Sequence, residues 1–440
     1  MSKMSTAKTE ISWLRTGYQY LLQINYPTHL VISALLRLIL ICYAQIHDAK
    51  STVPYTDIDY KVVTDGARLI VDGESPFGRH TYRYSPIMAL LHIPNITLHP
   101  AFGKVIYSVC DLLIGCLIYI LVRLQQGDVK RTEKMARASA CFWLYNPLTA
   151  VISTRGSGDS FTSFFVILSI YLLIKSEDQK SKCFAVFCAG FAHGLVIHLR
   201  LYPMFFSLAY YLCLSGGSIR KPRELLIRIF LPNKHQICLV LGTLLGLASF
   251  TWTSYKLYGW QYLHEAYFYH FLRKDVRHNF SLHFLMQYLN NTDSVKESTL
   301  LIKFLTMAPQ LLLVVYLSLS FAQFRQTLPF CVFSLAFVIV TYNSVVTSQY
   351  FVWYLAILPL CLTNFKSMSL ARCTYLIILW FIGQAFWLLP AYLLEFKTWH
   401  TFNWIGFQSA MFFIINSYIL AQLISNYEYR NFKIPNKKFL

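Results

Sequence analysis

Two carboxylates one residue apart, Asp57 and Asp59, are the residues whose types and spacing most clearly indicate chemistry. They lie in the stretch Tyr55–Lys61, directly after the first long apolar segment. If this stretch is extended, residues two apart point to the same side, so both carboxylates can face one site. Such a pair can bind a cation, act as a general base, or simply be solvated. Only 13% of the residues are charged, so a cluster beside an apolar segment predicts a catalytic loop at a membrane surface.

A basic and aromatic run follows shortly after the acidic pair. Arg79, His80 and Arg83 are interleaved there with Tyr82 and Tyr84. Arginine pairs bidentately with phosphate, which suits a phosphorylated lipid at the membrane surface. The alternative is an interfacial belt of tyrosines and snorkelling arginines without a ligand. The local pattern leaves both interpretations open.

Two breaks between apolar segments carry further cationic candidates. Arg155 opens an Arg-Gly-x-Gly-Asp turn in which Asp159 can simply cap the next helix. His198 and Arg200 stand just before Pro203, where a helix is predicted to break. A metal site there is weakly supported, because no carboxylate or cysteine accompanies them at ligand spacing. An anion-binding helix end is the favoured interpretation.

The predicted loop 256–298 has the densest mixture of aromatic and cationic residues. Its cations can hold a phosphate, and the alternative is an amphipathic helix lying on the bilayer. Gln349, at the mouth of a late apolar segment, is the one residue of that belt we single out. The candidates from these two regions are Arg273, Lys274, Arg277, His278 and Gln349.

The elements that position these residues are predicted to be membrane helices. The proportions of apolar (56%) and aromatic (17%) residues predict an all-α polytopic membrane protein. A span needs about 20 apolar residues, which predicts about 12 spans, with a range of roughly 10–13. The tenth, and the pair over 183–215, can be broken helices. Arg37 and Asp111 fall inside the first two spans and are expected to pair. The predicted spans are 30–47, 103–124, 136–153, 160–175, 183–198, 202–215, 237–255, 299–322, 328–346, 350–364, 371–394 and 404–425.

The sidedness of the connections follows from their charge. Twelve spans place both termini on one side, and the short basic connections predict that this side is cytosolic. The cytosolic parts then include residues 1–29 and the tail 426–440, whose Lys437 and Lys438 resemble a dilysine retrieval signal of the endoplasmic reticulum. Loops 48–102 and 256–298 become lumenal. Three acceptor sequons agree with this sidedness, although whether they are glycosylated stays open: Asn95, Asn279 and Asn290.

Charge and cysteine content exclude other classes of protein. A formal charge of +19 suggests nucleic acid in a soluble protein, but here the basic residues lie mostly in short loops. Membrane orientation and phosphate-bearing lipids explain the charge better, so we expect no nucleic-acid partner. The eleven cysteines fall in or beside apolar segments and read as buried hydrophobes rather than a disulfide framework.

Several of these blocks, taken together, resemble a known family. The stretch Tyr55–Tyr60 and the later blocks are similar in kind and order to the catalytic subunits of glycosylphosphatidylinositol mannosyltransferase I, over about residues 50–365. The resemblance implies a GT-C glycosyltransferase helix bundle with one catalytic domain, 30–425, whose active site lies at the lumenal face of the endoplasmic reticulum membrane. The later blocks are His80–Pro86, Asn146-Pro147, Ser153–Ser160, Gly194–Pro203, Tyr258–Ser281 and Ser348–Tyr350.

The resemblance also implies the reaction. Mannose would pass from dolichyl-phosphate-mannose in α1→4 linkage to the glucosamine of glucosaminyl-acyl-phosphatidylinositol, with a small single-span subunit stabilising the enzyme. Asp57 and Asp59 match the family's essential acidic motif. An inverting displacement then suits Asp59 as general base and Asp57 as its orienting partner. No cofactor is required, and a divalent cation stays open. The stabilisers of the phosphate are expected among Arg79, Arg83, Arg155, Arg200, Arg273 and Arg277.

Two other functions compete with this one. Another GT-C transferase that uses a dolichyl-phosphate sugar fits the same residues. A transporter or flippase for an anionic lipid predicts charges at mid-membrane and an internal repeat. In this sequence the charges gather instead in the connections of one predicted face, which favours a transferase.

Overall fold

A computed structural model describes residues 23–125, 129–177, 182–217, 222–272, 279–289, 300–365 and 367–428 of the chain, which are helical and contain no strand. The helices of eight or more residues are α1 Tyr26–Lys50, α2 Ile58–Val71, α3 Phe102–Leu124, α4 Val129–Leu144, α5 Pro147–Thr154, α6 Asp159–Lys175, α7 Lys182–Leu199, α8 Pro222–Phe230, α9 Lys234–Leu263, α10 Leu300–Phe321, α11 Leu328–Tyr342, α12 Leu370–Lys397 and α13 Phe402–Ser425. Shorter helical turns are Pro76–Gly78, Pro86–Leu91, Ile93–Thr97, Tyr202–Phe206, Ser207–Leu212, His264–Phe268, Tyr269–Leu272, Phe284–Leu289, Ser348–Tyr350, Phe351–Leu355, Leu358–Leu360 and Leu362–Asn364.

Six helices in these ranges are long and apolar enough to cross a membrane, namely α1, α3, α7, α9 with the turn after it, α12 and α13. The count becomes seven if α5 and α6, which meet at a bend of 120°, form one span. This confirms an all-α polytopic membrane protein, while the count of about 12 spans stays a prediction. The predicted tenth span, 350–364, is broken into short helical pieces around Pro359. Proline cannot donate the backbone hydrogen bond that a continuous helix needs there.

The chain divides into two compact units. The first comprises the described residues of Met1–Tyr171, Ala192–Arg200 and Gly246–Ala266, and the second those of Leu172–Phe191, Leu201–Leu245 and Tyr267–Leu440. Helices α6, α7 and α9 contribute residues to both. The single catalytic domain 30–425 stays a prediction.

A buried ion pair lies at the core of the first unit. Arg37 Nε of α1 lies 2.9 Å from Asp111 Oδ2 of α3, and both side chains are at most 1% exposed. Arg37 Nη1 also donates to the Leu144 carbonyl at the end of α4, at 3.0 Å. The predicted pairing is therefore confirmed, and it ties three helices together through one guanidinium.

The second unit is held chiefly by apolar and aromatic packing. Helix α11 is buried continuously from Leu328 to Val340, and the rings of Tyr202 and Trp353 stack at 3.6 Å. Helices α7 and α9 approach closely at glycines: a Cβ on Gly190 would lie 2.3 Å from the Leu239 carbonyl oxygen. Small residues allow such close contact between membrane helices.

The connection 48–102, predicted as a loop, is largely helical, and its sequon is internal. Asn95 is 4% exposed, its amide donates to Thr64 Oγ1 at 2.9 Å, and its carbonyl accepts from the Gly103 amide at 2.7 Å. Asn279 is fully buried and accepts from the Val346 amide at 2.9 Å. These two asparagines hold the backbone in place, so they give no support to the predicted sidedness. Asn290 lies outside the described residues.

Candidate functional site

The acidic pair starts a helix rather than lying in an extended segment, so that sequence interpretation was wrong. Asp57 is the N-cap of α2, and its Oδ1 accepts from the Asp59 amide at 3.2 Å. A carboxylate at this position satisfies a free amide and interacts favourably with the helix dipole. Asp57 is only 4% exposed, whereas Asp59 is half-buried. The two carboxylates therefore have different environments.

Three surrounding elements hold the segment that carries the pair. The Asp48 carboxylate at the end of α1 accepts from the amide and hydroxyl of Thr56. Lys104 at the start of α3 donates to the same hydroxyl at 2.6 Å. The Asp57 amide donates to the Arg155 carbonyl at 2.9 Å. The backbone position of both carboxylates is thus fixed by contacts from α1, α3 and the turn after α5.

The turn after α5 fits against α2 through a glycine. Gly156 has φ +94°, and a Cβ there would lie 2.3 Å from the ring of Tyr60. The Tyr60 hydroxyl donates to the Pro100 carbonyl at 2.7 Å, and burial raises the pKa of Tyr60 to about 12. Only a residue without a side chain permits both this backbone conformation and this contact.

Tyr84 joins Asp59 to the other charged residues. The charge of the nearby Asp59 carboxylate acts on its phenol, and the Arg200 guanidinium lies 5.4 Å from the centre of its ring. Burial, followed by the Asp59 charge, raises the pKa of Tyr84 well above its ordinary value, while Arg200 opposes the shift. Arg200 Nη2 in turn lies 3.5 Å from Asp159 Oδ1. Asp59, Tyr84, Arg200 and Asp159 therefore form one connected cluster, which we call the Asp59 cluster.

Arg155 is the predicted cation whose own backbone carbonyl accepts from the Asp57 amide. Its side chain is half-buried, and its Nε is buried without a hydrogen-bond partner among the described residues. In the preceding residue, the Thr154 hydroxyl accepts from Tyr55 at 2.8 Å, which anchors the end of α5. A buried N–H group without a partner is costly, and an anionic ligand would satisfy it.

The run 79–83 is divided between different partners. Arg79 Nε lies 3.1 Å from Asp65 Oδ2, and Arg83 forms an ion pair with Glu265 in the turn after α9. His80 is exposed. The two arginines are thus already compensated by separate carboxylates, which favours a role in positioning the run over direct phosphate binding.

His198 occupies an internal position and is 3% exposed. Its Nε2 lies 2.7 Å from Ser85 Oγ, and its Nδ1 lies 3.2 Å from both Thr251 Oγ1 and the Tyr262 hydroxyl. These contacts join the run 79–86 to α7 and α9. They make His198 a support for the site, with Arg200 two residues later reaching the Asp59 cluster.

The remaining candidates are Gln349 and four residues of the predicted loop 256–298. Gln349 is half-buried in the turn Ser348–Tyr350 of the second unit. Arg273, Lys274, Arg277 and His278 lie outside the described residues. Within the ranges that are described, no group of three or more His, Cys, Asp or Glu side chains is arranged to hold a metal ion.

Sequence reasoning missed Tyr84 and Lys104 as parts of the site. Tyr84 was interpreted only as part of an interfacial belt, because nothing in its local pattern indicates a nearby carboxylate. Lys104 had a usable signal: it is a charged residue at the start of an apolar segment, where ionisable groups are functional suspects. Its burial to 4% exposure and its contact with Thr56 agree with that signal.

Comparison with known proteins agrees with these observations. A family model described as "Mannosyltransferase (PIG-M)" matches residues 152–424. A Danio rerio protein named GPI alpha-1,4-mannosyltransferase I, catalytic subunit, is 40% identical over 395 residues, which cover 90% of this chain and 95% of that protein. GPI mannosyltransferase 1 of Dictyostelium discoideum is 34% identical over 446 residues, covering 96% and 97%. The same-named protein of Schizosaccharomyces pombe is 35% identical over 364 residues, covering 82% and 91%. The chain is therefore a multi-pass membrane enzyme that belongs to the PIG-M family of mannosyltransferases.

Proposed function

We propose that this enzyme transfers the first mannose of the glycosylphosphatidylinositol anchor from dolichyl-phosphate-mannose, in α1→4 linkage, to the glucosamine of glucosaminyl-acyl-phosphatidylinositol. The observation that carries the proposal is the half-buried Asp59 carboxylate at the start of α2, in the same compact unit as the cations Arg155 and Arg200. The name of the Danio rerio relative, which specifies an alpha-1,4 linkage, supports the choice of product.

The chemistry is a single inverting displacement. The Asp59 carboxylate takes the proton of the acceptor hydroxyl as its oxygen forms a bond to C1 of the β-linked mannose. The bond between C1 and the phosphate oxygen breaks with its electron pair on dolichyl phosphate, which leaves as a dianion. A positioned base contributes roughly 10²–10⁴-fold to such a reaction.

Asp59 suits the role of base better than Asp57. Asp57 is buried and uses one carboxylate oxygen to cap α2, whereas the half-buried Asp59 lies in the first turn of that helix. Asp57 then acts by fixing the backbone from which Asp59 projects. This division predicts that residues able to cap a helix can replace Asp57 in part, since Asn and Ser cap about as well as Asp.

Arg155 is the described cation best suited to the leaving phosphate. Arg79, Arg83 and Arg200 each have a carboxylate within ion-pair distance, while Arg155 presents a buried Nε without a described partner. A guanidinium placed where phosphate charge develops stabilises the transition state directly. With this charge supplied by the protein, the reaction needs no divalent cation, and activity should survive chelation by EDTA. Arg273 and Arg277 remain in the proposed set.

The proposed setting is the endoplasmic reticulum membrane, with the site on the lumenal face and both termini in the cytosol. A small single-span subunit is proposed to stabilise the enzyme. We do not expect nucleic acid as a partner, and the proposed reaction requires no cofactor.

The test is mannosyl transfer in microsomes from cells that lack the first mannosylation of the anchor. Wild-type enzyme should restore transfer from dolichyl-phosphate-mannose, and Asp59→Asn should lower kcat roughly 10²–10⁴-fold. Asp57→Asn should keep much more activity than Asp57→Ala, because only the asparagine retains the cap. Transfer from dolichyl-phosphate-glucose instead would identify a different transferase, and full turnover by Asp59→Asn would refute its role as base.

A further inference from the structure

We propose that Lys104 is a positioning residue whose ammonium group holds the stretch carrying Asp57 and Asp59 in the place that proton removal from the acceptor hydroxyl requires. The inference rests on the proposed function, because it takes Asp59 to be the general base. Lys104 touches no substrate in this role. It acts on the acidic pair through two neighbours, the Thr56 hydroxyl before the pair and the Tyr60 ring after it.

The Thr56 hydroxyl links Lys104 to a carboxylate of α1. It accepts from Lys104 Nζ at 2.6 Å and donates to Asp48 Oδ2. The chemistry of the partners determines the direction of both hydrogen bonds, since an ammonium group has only donors and an ionised carboxylate only acceptors. Thr56 is 8% exposed and Lys104 is 4% exposed, so water is largely kept from this bridge. A hydroxyl suits the position because one oxygen atom both accepts and donates.

The same bridge fixes the backbone ahead of α2. Asp48 also accepts from the amides of Tyr55 and Thr56, and the next amide, that of Asp57, donates to the Arg155 carbonyl at 2.9 Å. Three consecutive amides therefore have defined acceptors, and α2 begins directly after them. A change in this backbone would move both carboxylates of the acidic pair, because they project from its end.

Lys104 also contacts the far side of the acidic pair. Its Nζ lies 5.5 Å from the centre of the Tyr60 ring, and Tyr60 follows Asp59 in the first turn of α2. A cation over the face of an aromatic ring is attracted by the electrons of that ring. One ammonium group thus contacts the residues on both sides of the stretch 57–59, which favours a role in placing this stretch over general packing.

Lys104 can act as an anchor because α3 is itself held in place. About two turns further along α3, Asp111 pairs with Arg37 of α1 at 2.9 Å. Asp48 lies about three turns after Arg37 on α1. Helices α1 and α3 are therefore joined at two levels, directly by the buried ion pair and through Thr56 by the bridge. The start of α2 is supported by both helices, as expected of the elements that hold a functional site.

Two substitutions separate positioning from stability. Thr56→Val keeps the shape of the side chain and removes the bridging oxygen, which leaves the Lys104 ammonium buried without its hydrogen bond and lowers stability. Lys104→Met removes that charge and leaves Asp48, whose side chain is 25% exposed and accessible to water. The double variant Thr56→Val/Lys104→Met has neither the bridge nor the buried charge. It should therefore be more stable than Thr56→Val but no more active.

The experiment measures steady-state transfer by full-length enzyme in microsomes, from dolichyl-phosphate-mannose to glucosaminyl-acyl-phosphatidylinositol. Thr56→Val and Lys104→Met should each lower kcat about 10- to 100-fold, with KM for both substrates changed less than about threefold. The double variant should have the kcat of the lower single variant, because both changes remove the same bridge. The unfolding temperature of the detergent-solubilised protein is measured alongside, and it should rise from Thr56→Val to the double variant.

The chain provides matched controls. Thr56→Ser keeps the bridging hydroxyl and should retain kcat within about threefold of wild type. Thr64→Val makes the same substitution as Thr56→Val within α2, at a threonine whose hydroxyl accepts from the Asn95 amide at 2.9 Å. It should keep kcat within about twofold of wild type. Together they distinguish loss of the bridge from loss of a threonine hydroxyl elsewhere in this region.

The possible failures are distinguishable. Inactive wild-type enzyme refutes the proposed function, and full turnover by Asp59→Asn refutes the base. If both of those behave as proposed, the inference about Lys104 alone is overturned when kcat recovers together with stability in the double variant, or when the two single losses multiply there.

Lys104→Met also gives a direct answer by itself. It leaves no buried unpaired charge, so it provides the test even if Thr56→Val yields no folded protein. Unchanged kcat in this variant would refute the inference. A KM for dolichyl-phosphate-mannose raised more than about 10-fold at unchanged kcat would also refute it, because Lys104 would then bind the donor instead of positioning the acidic pair.

Discussion

Two arginine–aspartate pairs in the first unit have the same chemistry and opposite settings. The Arg37–Asp111 pair joins α1 to α3 at 2.9 Å, with both side chains at most 1% exposed. The Arg200–Asp159 pair lies in the Asp59 cluster at 3.5 Å, and Arg200 is 21% exposed. Arg37 touches only groups that hold helices together, whereas Arg200 also covers the ring of Tyr84. The first pair is a structural ion pair between helices, and the second is part of a candidate site.

The two pairs differ in how the charges are compensated. Arg37 Nη2 and Asp111 Oδ1 are buried without hydrogen-bond partners among the described residues, so a single contact joins the two charges. Desolvation makes such a pair expensive, and loss of one partner leaves an uncompensated charge. Arg200 retains access to solvent, so removal of its partner leaves a charge that water can still stabilise. The same substitution should therefore act on stability in one place and on activity in the other.

The largest expected effect comes from Arg37→Met alone, which leaves Asp111 buried as an unpaired carboxylate. We expect a loss of about 3–5 kcal/mol in the free energy of unfolding, measured by thermal unfolding of purified protein in detergent. The double variant Arg37→Met/Asp111→Leu should recover most of that loss, because the remaining side chains are apolar.

The matched control for that experiment is Arg68→Met. It removes an arginine whose side chain is 57% exposed and whose pair with Asp65 spans 3.2 Å at the surface. An exposed pair contributes about 0–1 kcal/mol, so the variant should unfold like wild type. If Arg37→Met were equally harmless, burial of the Arg37–Asp111 pair would not set it apart from the more exposed pairs.

A buried histidine in the first unit provides a second test of how burial affects an ionisable group. His92 is fully buried between Met88 and Tyr107, and burial lowers its pKa from 6.5 to about 4. Because the unfolded chain binds a proton below pH 6.5 and the folded chain does not, stability falls as pH falls through this range. The loss at pH 5 amounts to about 2 kcal/mol relative to pH 7.

The measurement compares unfolding of wild type and His92→Gln at pH 7 and pH 5. The variant starts less stable, since it loses packing and hydrogen bonds, but the decrease between the two pH values should be smaller by the contribution of His92. An identical pH dependence in both proteins would show that His92 takes up no proton on unfolding in this range.

The smallest effect is expected for Arg200→Lys. Lysine keeps the charge near Asp159 but lacks the planar group that lies over the Tyr84 ring. Activity should fall about tenfold in kcat, while the unfolding temperature stays close to that of wild type. A variant that loses stability and keeps kcat would show that Arg200, like Arg37, has a structural role.

Much of the fold and part of the site follow from local sequence. The pairing of Arg37 with Asp111 was predictable because two opposite charges inside neighbouring apolar segments have few other ways to be compensated. The break in the predicted tenth span, 350–364, was predictable because its apolar run is short for a membrane helix. The helical start at Asp57 was not foreseen, although an aspartate three residues before Tyr60 is an ordinary capping signal that the interest in paired carboxylates obscured.

What could not be predicted depends on contacts between distant segments. Tyr84 lies 25 positions after Asp59 in the chain, and only the folding of 58–97 into helices brings its phenol near that carboxylate. The same folding separates Arg79 from Arg83, which look like one cluster in sequence but pair with Asp65 and Glu265. Sequence proximity predicted a shared ligand for these arginines, and their tertiary neighbours point instead to separate partners.

The burial of Asn95 has a consequence for how the protein matures. Its amide is engaged by Thr64 and the Gly103 backbone, so an oligosaccharide on this nitrogen is incompatible with the folded first unit. Should the sequon face the lumen during synthesis, folding of this region competes with the modification. A chain glycosylated at Asn95 would be unable to form these two contacts, so the modification and the native fold of this region exclude each other.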